Sequence, residues 1–189
     1  MAKRKIKKQG FICIVLFAVM CVLAVLNFAL PQFKRTLEGS FLGAGSASSR
    51  EYNMFDLLDG MSGKDLSDKT DGGKAASAAF FSDDDKTQAK WFAVLTLITT
   101  IVACLGIVMA VLALVVPKVG GYIKYLGALL ALLAIVTFIF GIVVTKEFSS
   151  SSNIGGLASG SITVQLAVGA ILSFIGGLGA VVVPFVFKK

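Results

Sequence analysis

Four long apolar runs alternate with polar stretches along this chain. They are Phe11 to Leu30 (FICIVLFAVMCVLAVLNFAL), Trp91 to Val116, Tyr125 to Thr145 and Ile162 to Phe187. Each is long enough for the roughly 20 apolar residues that cross a hydrocarbon core about 30 Å thick. The pattern predicts an all-α membrane protein, a four-helix transmembrane bundle with a loop between the first two spans that covers residues 31–90. The second and third spans make a hairpin across a tight turn, residues 117–124, which holds Pro117, Lys118, Gly120, Gly121 and Lys124. Trp91, Tyr122 and Tyr125 sit where an aromatic ring suits the membrane boundary. A second, shorter loop, residues 146–161, precedes the fourth span.

The loop over 31–90 has internal pattern. Ser48 and Glu51 have capping-box spacing, and Gly60 suits a helix stop. Between them Met54, Phe55, Leu57, Leu58 and Met61 share one helical face. This predicts a short amphipathic helix over about 49–59, whose apolar face would be covered by its own spans, by a partner or by the outer lipid surface, with Phe55, Leu57, Leu58 and Met61 as the candidate partner-binding residues. Ser82 followed by Asp83, Asp84 and Asp85 suits a helix N-terminus, so the second spanning helix is expected to begin a turn or two before Trp91. The glycine- and serine-rich stretches, Gly39 to Ser49, Gly72 to Ala79 and Phe148 to Ser161, read as flexible.

Composition agrees with this layout: 56% of the 189 residues are hydrophobic and only 15% charged. The net charge of +7 sits mainly at the ends of spans rather than in a patch interleaved with aromatics, so nucleic acid is not an expected partner. Lys3, Arg4, Lys5, Lys7 and Lys8 precede the first run, Lys118 and Lys124 lie in the tight turn, and Lys188 and Lys189 end the chain. Short basic flanks stay on the inner side. The expected orientation therefore has a basic cytoplasmic tail (1–10), a cytoplasmic C-terminus and both loops outside, in a plasma membrane. The first run is read as an uncleaved anchor, since no small-x-small site follows it closely.

Small residues mark the expected helix contacts. They are Thr96, Ala103, Gly106 and Ala110 on the second span, Gly127, Ala131 and Gly141 on the third, and Gly169, Ser173 and Gly177 on the fourth. Such spacing lets helix backbones approach where lipid removes the hydrophobic drive. The same fourth-span stripe would equally serve an oligomer interface.

Reaction chemistry is sparse. Histidine is absent, and Cys13, Cys21 and Cys104 all lie within apolar runs with no Cys-x-x-Cys pair. No Asp, Glu, Lys or Arg lies in a span interior, where such groups mark ion and proton pathways. Asp65, Asp68 and Asp71 are spaced by three, not by the two that a calcium loop needs. The expectation is no metal, no cofactor and no enzyme activity. Four spans with a long first loop, a tight inner turn and a short second outer loop resemble the claudin-like tetraspan layout. The Gly-Leu-Trp…Cys…Cys signature of that family's first loop has no counterpart, because this loop has neither Trp nor Cys, so no residue role carries over. The reading that results is a non-enzymatic accessory or scaffold subunit that binds another membrane protein or self-associates, within a lipid bilayer. The alternative is an oligomeric channel or a pathway for uncharged solutes.

Overall fold

The structure is a computed structural model and describes residues 8–41, 44–55, 86–116, 118–147, 149–154 and 158–186. Its helices are α1 (Lys8–Leu26), α2 (Lys86–Val115), α3 (Ile123–Glu147) and α4 (Val168–Val186). Its strands are β1 (Phe33–Phe41), β2 (Ala44–Tyr52), β3 (Ser150–Ile154) and β4 (Ala158–Leu166). Among the described residues three helical segments, Trp91–Val115, Val119–Glu147 and Val168–Val186, are long and apolar enough to cross a membrane, and Gly10–Leu26 is a shorter apolar helix.

The chain is mostly helical, but the all-α expectation is corrected by a four-stranded antiparallel sheet in the order β2-β1-β4-β3. Both loops build it, two strands from each. Three readings change with it. Within the stretch expected to be flexible, 39–41 are the end of β1 and 44–49 are most of β2, while 42–43 lie outside the described residues. The second loop folds into β3 and β4, and the stretch Ile162–Leu166, expected to open the fourth span, is the end of β4, so α4 starts at Val168. The capping-box pair Ser48 and Glu51 lies in β2, with Leu37 and Lys34 as its cross-strand partners. Local spacing favoured a helix start there, but the ladder with β1 pairs alternate residues along a nine-residue strand, and tertiary pairing overrides a weak local signal. Of the predicted 49–59 helix, only Met54 and Phe55 are helical among the described residues, and 56–59 lie outside them.

Boundaries elsewhere shift by a few residues. α1 ends at Leu26, before a turn over Asn27–Ala29, and α2 begins at Lys86, ahead of Trp91. Ser82 to Asp85 lie outside the described residues, as do Leu57, Leu58 and Met61. After α2 a 3-10 turn, Val119–Tyr122, leads directly into α3.

The chain divides into two compact units. One comprises Met1–Phe28, Leu95–Phe138 and Ile171–Lys189; the other comprises Ala29–Val94 and Ile139–Ala170. The first is helical, with a core in which large side chains meet small ones. Phe17, Cys21 and Ala24 of α1 are buried with Ala103, Ala110 and Ala113 of α2, Ile123 and Leu130 of α3, and Ala180 and Val183 of α4. Alanines at these positions bring the backbones close, so packing rests on van der Waals contact along whole helices. The second unit holds the sheet and the helix ends continuous with it in the chain.

Candidate interaction surface

The sheet is the largest polar structure among the described residues. Its two faces follow from period two along each strand. On one face Phe33, Arg35, Tyr52 and Val164 are all buried. Phe92, also buried, packs against Phe33 with ring centroids 4.8 Å apart. Gly141 lies beneath them: a Cβ there would come within 2.8 Å of Leu166 Cδ2 and 3.1 Å of Phe92 Cε2. Gly141 therefore packs against a strand residue and an aromatic ring in the second unit. Arg35 is 3% exposed, with Arg50 and Val164 as cross-strand partners.

The other face is polar. Lys34, Glu38, Thr163 and Gln165 are exposed there. Ser40 and Ser159, cross-strand partners of β1 and β4, share a hydroxyl hydrogen bond of 2.7 Å. Toward this end of the sheet lies an open cleft of about 640 Å³, lined by Glu38, Ser40, Ser46, Ser151, Ser159 and Ser161 among others. It offers hydroxyls, one carboxylate and backbone amides, and no aromatic platform. Such a set can hydrogen-bond an extended chain; it contains no nucleophile–base pair.

A hydrogen-bond junction holds the base of the sheet. Gln32, fully buried, donates its backbone N–H to the Tyr52 carbonyl at 2.7 Å and accepts at its own carbonyl from Ala167 N–H at 2.8 Å. Its side-chain Nε2 donates to the Leu30 carbonyl at 3.2 Å. Gly169 N–H donates to the Pro31 carbonyl at 2.8 Å, and a Cβ at Gly169 would lie 2.7 Å from that oxygen. Gly169 was expected as a helix-packing residue. Its place is the β4–α4 junction, where the backbone of the first loop passes too close for a side chain.

Among the described residues the outer edge of β2 pairs with no further strand, and it is the feature there most open to a partner. β2 lies at one edge of the sheet and pairs with β1 over nine residues without a bulge. Gly45, Ser46, Ala47, Ser48 and Ser49 are all exposed. Edge strands are commonly blunted by Pro, Lys, bulges or short length. The opposite edge, β3, is short, at five residues. β2 is long, and its small side chains from Gly45 to Ser49 leave the backbone approachable.

The remaining sequence-derived positions fall as follows. Phe55 is 55% exposed, whereas the adjacent Met54 is fully buried. In the helical unit Thr96, Ala103 and Ala110 are buried, and Ala131 and Ser173 nearly so. A Cβ on Gly106 would meet Cys21 Sγ at 2.6 Å, one on Gly127 the Ala180 carbonyl oxygen, and one on Gly177 the Ala134 Cβ. Sequence reasoning missed Gly179, whose Cβ would strike Met20 Sδ, and, though Thr99 and Thr137 both belong to the small-residue stripes of their spans, it missed the 3.2 Å hydroxyl contact between them. It also missed the strands. In β4 the signal was the strict alternation Ala158-Ser-Gly-Ser-Ile-Thr-Val-Gln-Leu166, merged into an apolar span by its proximity to one. Among the described residues no group of three or more His, Cys, Asp or Glu could hold a metal ion. Comparison of the chain with protein-family models, with curated proteins and with solved structures finds no match.

Proposed function

We propose that this chain is a non-enzymatic four-helix transmembrane bundle of the plasma membrane that acts as an accessory or scaffold subunit. In this reading the sheet built by its two outer loops docks a chain of another membrane protein. The observation that supports it is the long, small-residue edge of β2, which can accept an added strand through backbone hydrogen bonds. The exposed Phe55, three residues after β2 in sequence, would offer the same partner an apolar contact, in keeping with a partner-binding role for Phe55, Leu57, Leu58 and Met61. The claudin-like resemblance belongs to the same proposal, as a similarity of layout.

The test uses Ala47→Pro and Ser48→Pro, purified in mild detergent from the source membrane with whatever accompanies them. Neighbouring residues of a strand point their N–H groups in opposite directions, so one of these prolines removes an outward donor and the other a ladder bond to β1. The outward variant is expected to melt like the parent and to lose its co-purifying protein. The ladder variant should lose stability. If both keep the full set of companions, the docking reading is wrong. A parent that purifies alone, as a homo-oligomer that passes uncharged solutes across liposomes, would favour the channel reading instead.

A further inference from the structure

A second feature lies inside the helical unit, in a layer of buried polar side chains. Asn27, just past α1, Thr96 and Thr99 of α2, Thr137 of α3 and Ser173 of α4 are all buried. Contacts along α3 and α4 put two of them at one level. Gly127 lies against the Ala180 carbonyl, Gly177 lies against Ala134, and Phe138 stacks on Phe174 with ring centroids 4.4 Å apart. The two helices therefore run antiparallel. Thr137 and Ser173 each precede one ring of the stacked pair, so they stand at the same height. Ser173 shares its face of α4 with Gly176 and Gly177, one turn on, which approach Ala24 of α1 and Ala134 of α3. Its hydroxyl thus points into the bundle.

The hydrogen bonds of this layer do not close within the protein. Thr99 Oγ1 gives its only hydrogen to the Leu95 carbonyl at 2.8 Å, so in the 3.2 Å contact Thr99 accepts and Thr137 Oγ1 donates. Thr137 then keeps lone pairs that no donor among the described residues meets. Ser173 Oγ, 3% exposed as a residue, has no hydrogen-bond partner among them. A hydroxyl left so bears the full cost of its lost hydration. The layer calls for one group that accepts from Ser173 and donates to Thr137, and water is the smallest molecule that does both. A cation does not fit, because it cannot accept the Ser173 proton and the helical unit contains no Asp or Glu to offset its dehydration. We infer that the bundle binds water at the level of Thr137 and Ser173, held between their hydroxyls as part of the α3–α4 contact. A buried water commonly makes about three hydrogen bonds, and the remaining lone pair of Thr99 offers a third site in the same layer. The inference is independent of the sheet and of any partner.

The test follows water by nuclear magnetic resonance in full-length protein in detergent micelles, with labelled threonine and leucine methyl groups. In the parent, Overhauser transfer from water should reach the Thr137 methyl and be absent at Leu132, which lies on the exposed apolar side of α3. Ser173→Ala should cut the Thr137 signal several-fold, although the Thr137 hydroxyl itself remains. It should also lower the melting temperature by about 2–4 °C, the scale of one lost hydrogen bond in a chain of this size. Ser173→Cys, close in size but a weak donor, should match Ser173→Ala and serves in its place if the alanine variant folds poorly. No transfer to Thr137 in the parent overturns the inference even where Ser173→Ala is destabilised, since a protein group would then satisfy the hydroxyl. Equal transfer in the parent and both variants overturns it as well. So does a higher melting temperature for Ser173→Ala, which would mean that the hydroxyl is buried dry.

Discussion

At the scale of single residues, the helical unit depends on places where no side chain fits. Gly127 faces the backbone carbonyl of Ala180 on α4, and backbone yields less than a flexible side chain. Gly127→Ala is therefore expected to destabilise by about 1–3 kcal/mol through overpacking. Gly120, in the turn, faces open space, with nothing within 4 Å of where a Cβ would stand, so Gly120→Ala should be near neutral. Thermal unfolding of the two variants in one detergent checks the contrast; equal melting temperatures would refute the close approach of α3 and α4. The hydroxyls call for a smaller figure. Thr99 Oγ1 donates to the Leu95 carbonyl at 2.8 Å and also stands 3.2 Å from Thr137 Oγ1. Because Thr99 keeps a backbone acceptor when Thr137 is removed, the coupling between them should be weak. A cycle of Thr99→Val, Thr137→Val and the double variant should give about 0.6 kcal/mol, the usual scale for such pairs in membranes. A coupling of several kcal/mol would show that the pair carries far more of the packing than its geometry implies.

At the scale of elements, the spans were legible and the sheet was not, for physical reasons that differ strand by strand. Apolar runs of about 20 residues announce themselves because a bilayer tolerates little else. β4 alternates cleanly, but its apolar members Ile162, Val164 and Leu166 run into the apolar start of α4 and read as one span. β2 has no strand signal of its own: Ala-Gly-Ser-Ala-Ser-Ser is poor in β-formers and becomes a strand because β1 lies beside it. In β1 the buried Arg35 interrupts the apolar alternation of Phe33 and Leu37. The packing stripes were easier to place, since small residues at Gly127 and Gly177 have few other uses within a span; Gly169 shows the exception, where a stripe position serves a strand–helix junction. The pairing of β1 with β4 is directly testable. In a variant with Cys13, Cys21 and Cys104 replaced by Ala, Ser40→Cys with Ser159→Cys should form a disulfide on mild oxidation, because antiparallel partners have Cα separations of about 4.5–5.5 Å. Mass spectrometry of the linked peptides reads it out. Ser46→Cys with Ser159→Cys lies across the intervening β1, about 10 Å apart, and should stay reduced. A bridge in the second pair and none in the first would mean a different strand order.

At the scale of the whole molecule, the sheet constrains which side of the membrane each loop occupies. β1 belongs to the first loop and β4 to the second, and nine residues of each are paired. Chains that share a ladder lie on the same side, so the α2–α3 hairpin between them crosses an even number of times. That agrees with two crossings, and with the exposed apolar side chains on both helices, such as Leu105, Val108, Leu132 and Ile139. The number of crossings turns on α1. Its apolar part, Gly10–Leu26, is shorter than the other candidate spans. At 1.5 Å per residue its 17 residues reach about 26 Å, slightly less than a core of about 30 Å. Two arguments favour a crossing. Phe17, Cys21 and Ala24 are fully buried among helices that do have spanning length, and a cluster of cations precedes the helix while none follows it until Lys34. A short span can be accommodated by local thinning at modest energy. The expected outcome in cysteine-free protein in intact cells is that Ser46→Cys and Ser151→Cys react with a membrane-impermeant maleimide and Gln9→Cys does not. Gln9 decides between four crossings and three. If α1 lay along the surface on the side of the loops, position 9 would label as readily as the strands. If it crosses, position 9 becomes reactive only after the membrane is permeabilised, together with a cysteine placed at Lys189.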